Sequence, residues 1–283
     1  MGDSLDFFVE TQKYLPKKLV TGLAGLLASV KYRPLKNLLI EMFIRAYKVD
    51  MSEARALSID QYSDFNDFFT RELRPEARPL PGNPKAVISP ADGFIPEFGE
   101  IRQEKLIQAK GKEYSLAKLV GDDELSSELD GGCFATVYLS PRDYHRVHMP
   151  LSGKPLDMRY IPGKLFSVNS RTAFNLDNLF AINERLVITF ESTETGQKFV
   201  LVMVGALIVG GMETVLTGPI VRSRVSGKPD FNDTILEKGE ELGRFYLGST
   251  AILLCPKGLV DLDDSLISEM PVKMGQQIGL MQS

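Results

Sequence analysis

Cysteine is scarce: the chain has only Cys133 and Cys255, and neither sits in a CxxC pair. No disulfide framework is expected, and a reducing compartment fits. Long apolar runs are also lacking. The longest, residues 199–211, falls short of the ~20 residues that a spanning helix needs, and glycines interrupt it. It reads better as buried strands. The N-terminus shows neither the basic-then-apolar order nor the cleavage site of a secretory signal. A basic excess is missing too: the net charge is −4, which argues against nucleic acid as a partner.

What is present is an ordinary globular composition, 43% hydrophobic and 25% charged over 283 residues. That suffices for one large domain, or a domain with an appendage. Charge is spread unevenly. Residues 1–50 carry +3, which leaves −7 on the rest. A basic end on an acidic body suggests that the end meets an anionic surface.

Residues 5–49 read as helical. An apolar stretch, residues 19–30, lies between Lys17 and Lys18 on one side and Lys31 and Arg33 on the other, and Pro34 is expected to break the helix. Residues 35–49 are amphipathic, with Asn37, Glu41, Arg45 and Lys48 on one arc. Two readings stand: a helical hairpin packed on the body, or helices lying in a membrane interface with Lys and Arg on lipid phosphates. The local charge tips the balance to the membrane. A Pro-rich connector follows, and then short β-like runs alternate with Gly, Pro and Asp turns. The expected fold class is α+β. A membrane-associated helical segment, residues 1–58, precedes a β-dominated catalytic body of antiparallel sheets, barrel- or sandwich-like, residues 59–283.

The chain's two histidines share one segment, YLSPRDYHRVHMP (138–150). Ser140 to Tyr144 reads as one tight turn that leads into an extended stretch. In that stretch His145 and His148 point to different faces, so two histidines with two jobs is a reasonable reading. A zinc site built from His145, His148, Cys133 and Cys255 is a rival, disfavoured because neither cysteine has a ligand neighbour in sequence. In SPADGFI (89–95) plain turn chemistry explains Asp92, which becomes of interest only if it orients a histidine. Residues 245–254 read as an apolar strand with Gly248, Ser249 and Thr250 in its middle. Either they form a β-bulge, or Ser249 is a nucleophile. As a nucleophile it completes an Asp–His–Ser set, or it attacks the carbonyl of Gly248, where the missing Cβ leaves room. No G-x-S-x-G elbow is present. The residues alone leave bulge and nucleophile open.

KGEELGRFYLGST (238–250), LSPRDYHRVHMP (139–150), SPADG (89–93), PGKLFSVN (162–169) and NLFAINERL (178–186) occur in order. Together they resemble the bacterial phosphatidylserine decarboxylases over the whole chain, with no departure at a motif position. The resemblance implies a proenzyme that cleaves itself between Gly248 and Ser249 into a β chain, 1–248, and an α chain, 249–283. Ser249 becomes an N-terminal pyruvoyl group, the covalent cofactor. His148, oriented by Asp92, takes the Ser249 proton. The pyruvoyl ketone forms a Schiff base with the amine of phosphatidylserine and acts as the electron sink for loss of CO₂, giving phosphatidylethanolamine. His145 is the candidate acid, and Ser167 and Asn169 are candidates for holding the substrate carboxylate or phosphate. The resemblance also implies a peripheral enzyme on the cytoplasmic face of the cell membrane, with processed αβ units pairing as a homodimer. Two other readings are a membrane-associated serine hydrolase using Asp92, His148 and Ser249 without self-cleavage, and a non-enzymatic β-rich carrier or adaptor.

Overall fold

The computed structural model describes residues 7–14, 16–109, 111–207, 211–220, 226–227, 231, 233–246 and 249–282. Three helices open the chain: Phe7–Tyr14, Lys17–Ala28 and Arg33–Tyr47. Pro34 starts the third helix rather than ending the second. It sits in the first turn, where a missing N–H leaves no bond unmade.

The third helix is fixed to the body by a buried lysine. Lys36 Nζ donates to the carbonyls of Tyr62 at 2.6 Å and Ile59 at 3.2 Å. Arg33 grips Asp60 with two bonds, at 2.9 and 2.8 Å, and Asn37 adds a third at 2.7 Å. Lys36 is therefore committed inside the protein, while Arg33 pairs with Asp60 at the surface. Ala28, Ile40 and Val49 share a small core with Tyr62, Phe65, Phe68 and Phe69, so the helices pack on residues beyond position 58.

The body is strand-rich, and every ladder between its described strands is antiparallel. Its main sheet runs in the order Ser226–Gly227, Gly153–Ile161, Arg185–Ser192, Lys198–Gly205, Ser249–Cys255, Cys133–Leu139, Gly93–Ile95, Met270–Val272. The described sheets are open; none closes into a barrel. In the middle strands both faces are buried, which is why their sequences read as nearly continuous apolar runs. Leu201 and Met203 enter one core cluster, and Val200, Val202 and Val204 the other. The first cluster is roofed by a four-stranded sheet that includes Arg146–His148 and Glu241–Phe245. The second is covered by a hairpin, Lys105–Ala109 with Lys112–Ser115, and by short helices such as Leu116–Val120.

The stretch that reads as one interrupted strand is two strands. Glu241–Phe245 belongs to the small sheet and Ser249–Cys255 to the main one. Pairing decides this: each half hydrogen-bonds a different partner.

Candidate active site at a shared strand break

Ser249 stands opposite Leu139 in the main sheet. Four residues earlier, Phe245 N donates to the His145 carbonyl at 3.0 Å, and Arg244 stands opposite Arg146. Two neighbouring strands thus leave the main sheet at one place and enter the small sheet together. One crosses through Ser140–Tyr144, and of the other's link only Tyr246 is described. Leu247 and Gly248 lie outside the described residues, so of the expected cleavage pair only Ser249 is placed. Four residues of chain reach at most about 14 Å. Ser249 and the His145 segment therefore bound the same short gap.

Strand alternation turns Ser249 to the face of Leu139 and Ala251, inside the larger core. The residue is fully buried, and its Oγ has no hydrogen-bond partner among the described residues. A buried hydroxyl left unpaired costs about 1–3 kcal/mol, so such a group calls for a functional account.

The expected turn forms. Ser140 donates to Asp143 Oδ2 from its backbone N at 2.7 Å and from Oγ at 2.6 Å, and Asp143 N returns a bond to the Ser140 carbonyl at 2.9 Å. It delivers the two histidines into different surroundings. His145 is fully buried, its ring 4.0 Å from that of Phe69. Its Nδ1 donates to the Asp143 carbonyl at 2.8 Å, while Nε2 has no partner. Burial pulls its pKa down to about 3, so the ring is neutral and Nε2 carries an unused lone pair.

His148 turns from the core that holds Val147 and Met149 and lines a cleft of about 440 Å³ with Arg74, Arg78, Leu80, Tyr144 and Met274. Its Nδ1 donates to the Gly239 carbonyl at 2.8 Å. Because a carbonyl only accepts, this bond fixes the tautomer. Nε2 is then the acceptor for the Tyr144 hydroxyl at 2.9 Å. Burial lowers the pKa of His148, and the bond to Gly239 opposes it.

Asp92 is near His148 without orienting it by a hydrogen bond. The His148 backbone N donates to the carbonyl of Pro90, two residues before Asp92, at 2.8 Å. The Asp92 carboxylate itself is held by Arg78, Nε on Oδ1 at 2.9 Å and a second nitrogen on Oδ2, and by the backbone N of Met274 at 2.8 Å. The expected Asp92–His148 contact is replaced because a guanidinium fork outcompetes an imidazole for both oxygens, and the Gly239 carbonyl takes the ring proton instead. The glycine of SPADG has a steric role: at Gly93, φ is +149°, and a Cβ would strike the Tyr138 carbonyl oxygen.

Ser167 and Asn169 lie apart from this group. Asn169 caps the helix Ser170–Asn175, Oδ1 accepting from Thr172 N at 2.9 Å. Ser167 N donates to Gln12 Oε1 at 2.9 Å. Their neighbours Val168 and Ser170 line a separate cleft of about 320 Å³ with Tyr138 and Phe174. Tyr138 stands opposite Thr250, on the sheet face away from the Ser249 side chain. The four-ligand zinc constellation is not assembled. Cys133 and Cys255 face each other at the far end of their strands from Leu139 and Ser249, about 20 Å away at 3.3 Å per residue.

Sequence reasoning missed three residues. Tyr144 was legible as a neighbour of His145. Arg78, in the connector, carries no local signal. Arg71, beside the histidine turn, donates to the Arg142 carbonyl at 3.2 Å. It is buried, forms no ion pair among the described residues, and leaves Nε unpartnered. Burial lowers its pKa.

Comparison with known proteins bears on the whole chain. The family model described as phosphatidylserine decarboxylase matches residues 65–280, and one described as PSD matches residues 7–48. A phosphatidylserine decarboxylase proenzyme of Saccharophagus degradans is 46% identical over 285 residues, covering 98% of each chain. One of Pseudomonas aeruginosa is 48% identical over 280 residues, covering 96% of each. One of Acinetobacter baumannii is 45% identical over 276 residues, covering 97% of this chain and 96% of its own. With the Leu-Gly-Ser-Thr serine buried at the strand break, this similarity over nearly the full length shows that the chain belongs to the phosphatidylserine decarboxylase family.

Proposed function

We propose that the chain is a proenzyme that cuts itself between Gly248 and Ser249 and then decarboxylates phosphatidylserine to phosphatidylethanolamine. The observation that carries this reading is the unpartnered, fully buried Ser249 Oγ at the head of a central strand, in a gap bounded by the histidine turn. That environment suits a pyruvoyl group formed from Ser249: the strand anchors it, and the core side keeps water off it.

In self-cleavage His148 is the base. The Gly239 carbonyl holds its Nδ1–H, so Nε2 carries the lone pair, and burial keeps the ring neutral. Tyr144 occupies that lone pair in the resting protein, so its hydroxyl must turn aside or relay the proton. Ser249 Oγ bonds to the Gly248 carbonyl carbon and the peptide C–N bond breaks, leaving an ester and a free amine. Elimination of the ester parts the chains, and water then replaces the nitrogen, which leaves as ammonia. Asp92 acts through position: with Arg78 it fixes the turn whose Pro90 carbonyl holds the His148 backbone.

The pyruvoyl group supplies the electron sink for the pair left behind by CO₂. His145 is the proposed donor to the carbon that lost the carboxylate. Burial makes it hold a proton weakly, and the anionic headgroup beside it raises its proton affinity. Asn169 spends its Oδ1 on a helix cap and lies, with Ser167, apart from the histidine turn, so neither is assigned a headgroup contact in this reading.

A diacyl substrate stays in the bilayer. Among the described residues no helix is long and apolar enough to cross a membrane. Leu19, Leu23 and Leu26 on the second helix, and Leu38 and Met42 on the third, are more than half exposed. These side chains support peripheral docking on a membrane surface, with depth set by the leucines; the cytoplasmic face is part of the proposal.

Intact mass of the purified protein tests the reading. Two chains are expected. The smaller, residues 249–283, should be blocked at its N-terminus and gain two hydrogens on borohydride reduction. A single uncut chain with decarboxylase activity would overturn it. No observation favours the serine-hydrolase reading.

A further inference from the structure

We propose that Cys133 and Cys255 form a peroxide-sensitive dithiol whose oxidation joins, through a disulfide, the two chains made by the cut at Ser249. The proposal rests on that cut for its consequence, not for its chemistry.

The register carries it. Cys133 stands directly opposite Cys255 in the antiparallel ladder of Cys133–Leu139 with Ser249–Cys255. Directly opposed residues have Cα atoms about 4.5 or 5.5 Å apart, and both values fall within the roughly 4.4–6.8 Å that a disulfide spans. Opposed side chains share a face; Cys255 belongs to the larger core cluster and Cys133 packs against it. Both are free thiols. Widely separated in sequence, they are brought together only by strand pairing.

Access is unequal. Cys255 is fully buried, whereas Cys133 is half-buried and lines an open cleft of about 440 Å³. The proximity of Cys133 and then burial raise the Cys255 thiol well above its ordinary value, so Cys255 is not the first to react. The cleft carries Glu100, Asp261, Asp263 and Asp264 against Lys257. That excess of carboxylates repels an anionic disulfide and admits a small neutral peroxide.

The chemistry balances. The Cys133 sulfur attacks one peroxide oxygen and the O–O bond breaks, giving a sulfenic acid and one water. The Cys255 sulfur then attacks the Cys133 sulfur. The S–S bond forms, the S–O bond breaks, and the hydroxyl leaves as a second water with the Cys255 proton. Two thiols and one peroxide become one disulfide and two waters. Cys133 belongs to the chain before the cut and Cys255 to the chain after it, so the bond ties the short chain to the long one.

The test uses the purified, self-cut protein. Under reducing, denaturing conditions it should run as two chains. After treatment with hydrogen peroxide and thiol blocking in denaturant, it should run without reductant as one species, lighter than the two chains combined by two hydrogens, and revert with dithiothreitol. Cys133→Ser and Cys255→Ser proteins should stay as two chains. Two separate chains after peroxide, with Cys133 overoxidised or Cys255 still alkylated, would overturn the proposal. A protein uncut under reducing conditions sinks the cleavage reading alone, because the peptide pair spanning Cys133 and Cys255 still reports the disulfide by mass.

Discussion

Arg78 and Asp92 form a buried fork: two guanidinium nitrogens meet two carboxylate oxygens, while the same arginine reaches Glu53 at 2.7 Å. This pair locks the Pro-Ala-Asp-Gly turn to the connector and, through Pro90, to the strand of His148. Removing one partner of a buried pair leaves an uncompensated charge, which costs about 3–5 kcal/mol. Arg78→Met should lower the unfolding free energy read from a denaturant titration by an amount in that range. Arg78→Lys keeps the charge but loses the fork, and should cost less.

Glu53 gives this cluster a pH signature. Its bond to Arg78, with help from Lys273, holds its pKa near 2 against an ordinary 4.5. A depressed carboxyl contributes stability that is present above its unfolded value and lost as pH falls toward the folded one. Melting temperature should therefore decline between pH 4.5 and 2, and Glu53→Gln should flatten that decline.

The two histidines should separate by function. His148→Ala is expected to accumulate uncut precursor, seen as a single band. His145→Ala is expected to cut itself yet lose most decarboxylation, measured as CO₂ release. Uncut His145→Ala protein would show that the roles are divided wrongly. Because burial holds His148 below its ordinary value of 6.5, self-cleavage should not slow as pH drops to that value, and should slow only at lower pH.

Lys36 supplies a stability test away from the site. Lys36→Met keeps the apolar stem but strips the protons from the Tyr62 and Ile59 carbonyls. Unsatisfied buried acceptors cost about 1–3 kcal/mol each, so thermal unfolding should shift down measurably, with self-cleavage unchanged at permissive temperature.

The exposed leucines should matter only to lipid. Leu19, Leu23 and Leu26 are 62%, 58% and 72% exposed. Changing all three to Ser should leave the melting temperature nearly unchanged. It should weaken sedimentation with anionic vesicles by roughly tenfold or more, given about 1.5–3 kcal/mol for each fully buried Leu. Equal binding would show that these helices are not the docking face.

Much was legible in the sequence because it depends on local pattern. The helical character of residues 5–49 followed from the apolar stretch 19–30 and the amphipathic stretch 35–49, the buried strands from continuous Val, Ile and Leu runs, and the Ser140 turn from its capping residues. Ser249 stood out because Gly-Ser-Thr interrupts apolar sequence. Tertiary structure decided the rest, since partners distant in sequence leave no local trace. Strand pairing split residues 241–255 into two strands and set Ser249 at the head of the second. Competition for hydrogen bonds gave Asp92 to Arg78 and His148 to Gly239 and Tyr144. Ion pairing ties Arg33 to Asp60 at the surface rather than leaving it unpaired. Register alone placed Cys133 against Cys255, two thiols that the sequence holds more than a hundred residues apart.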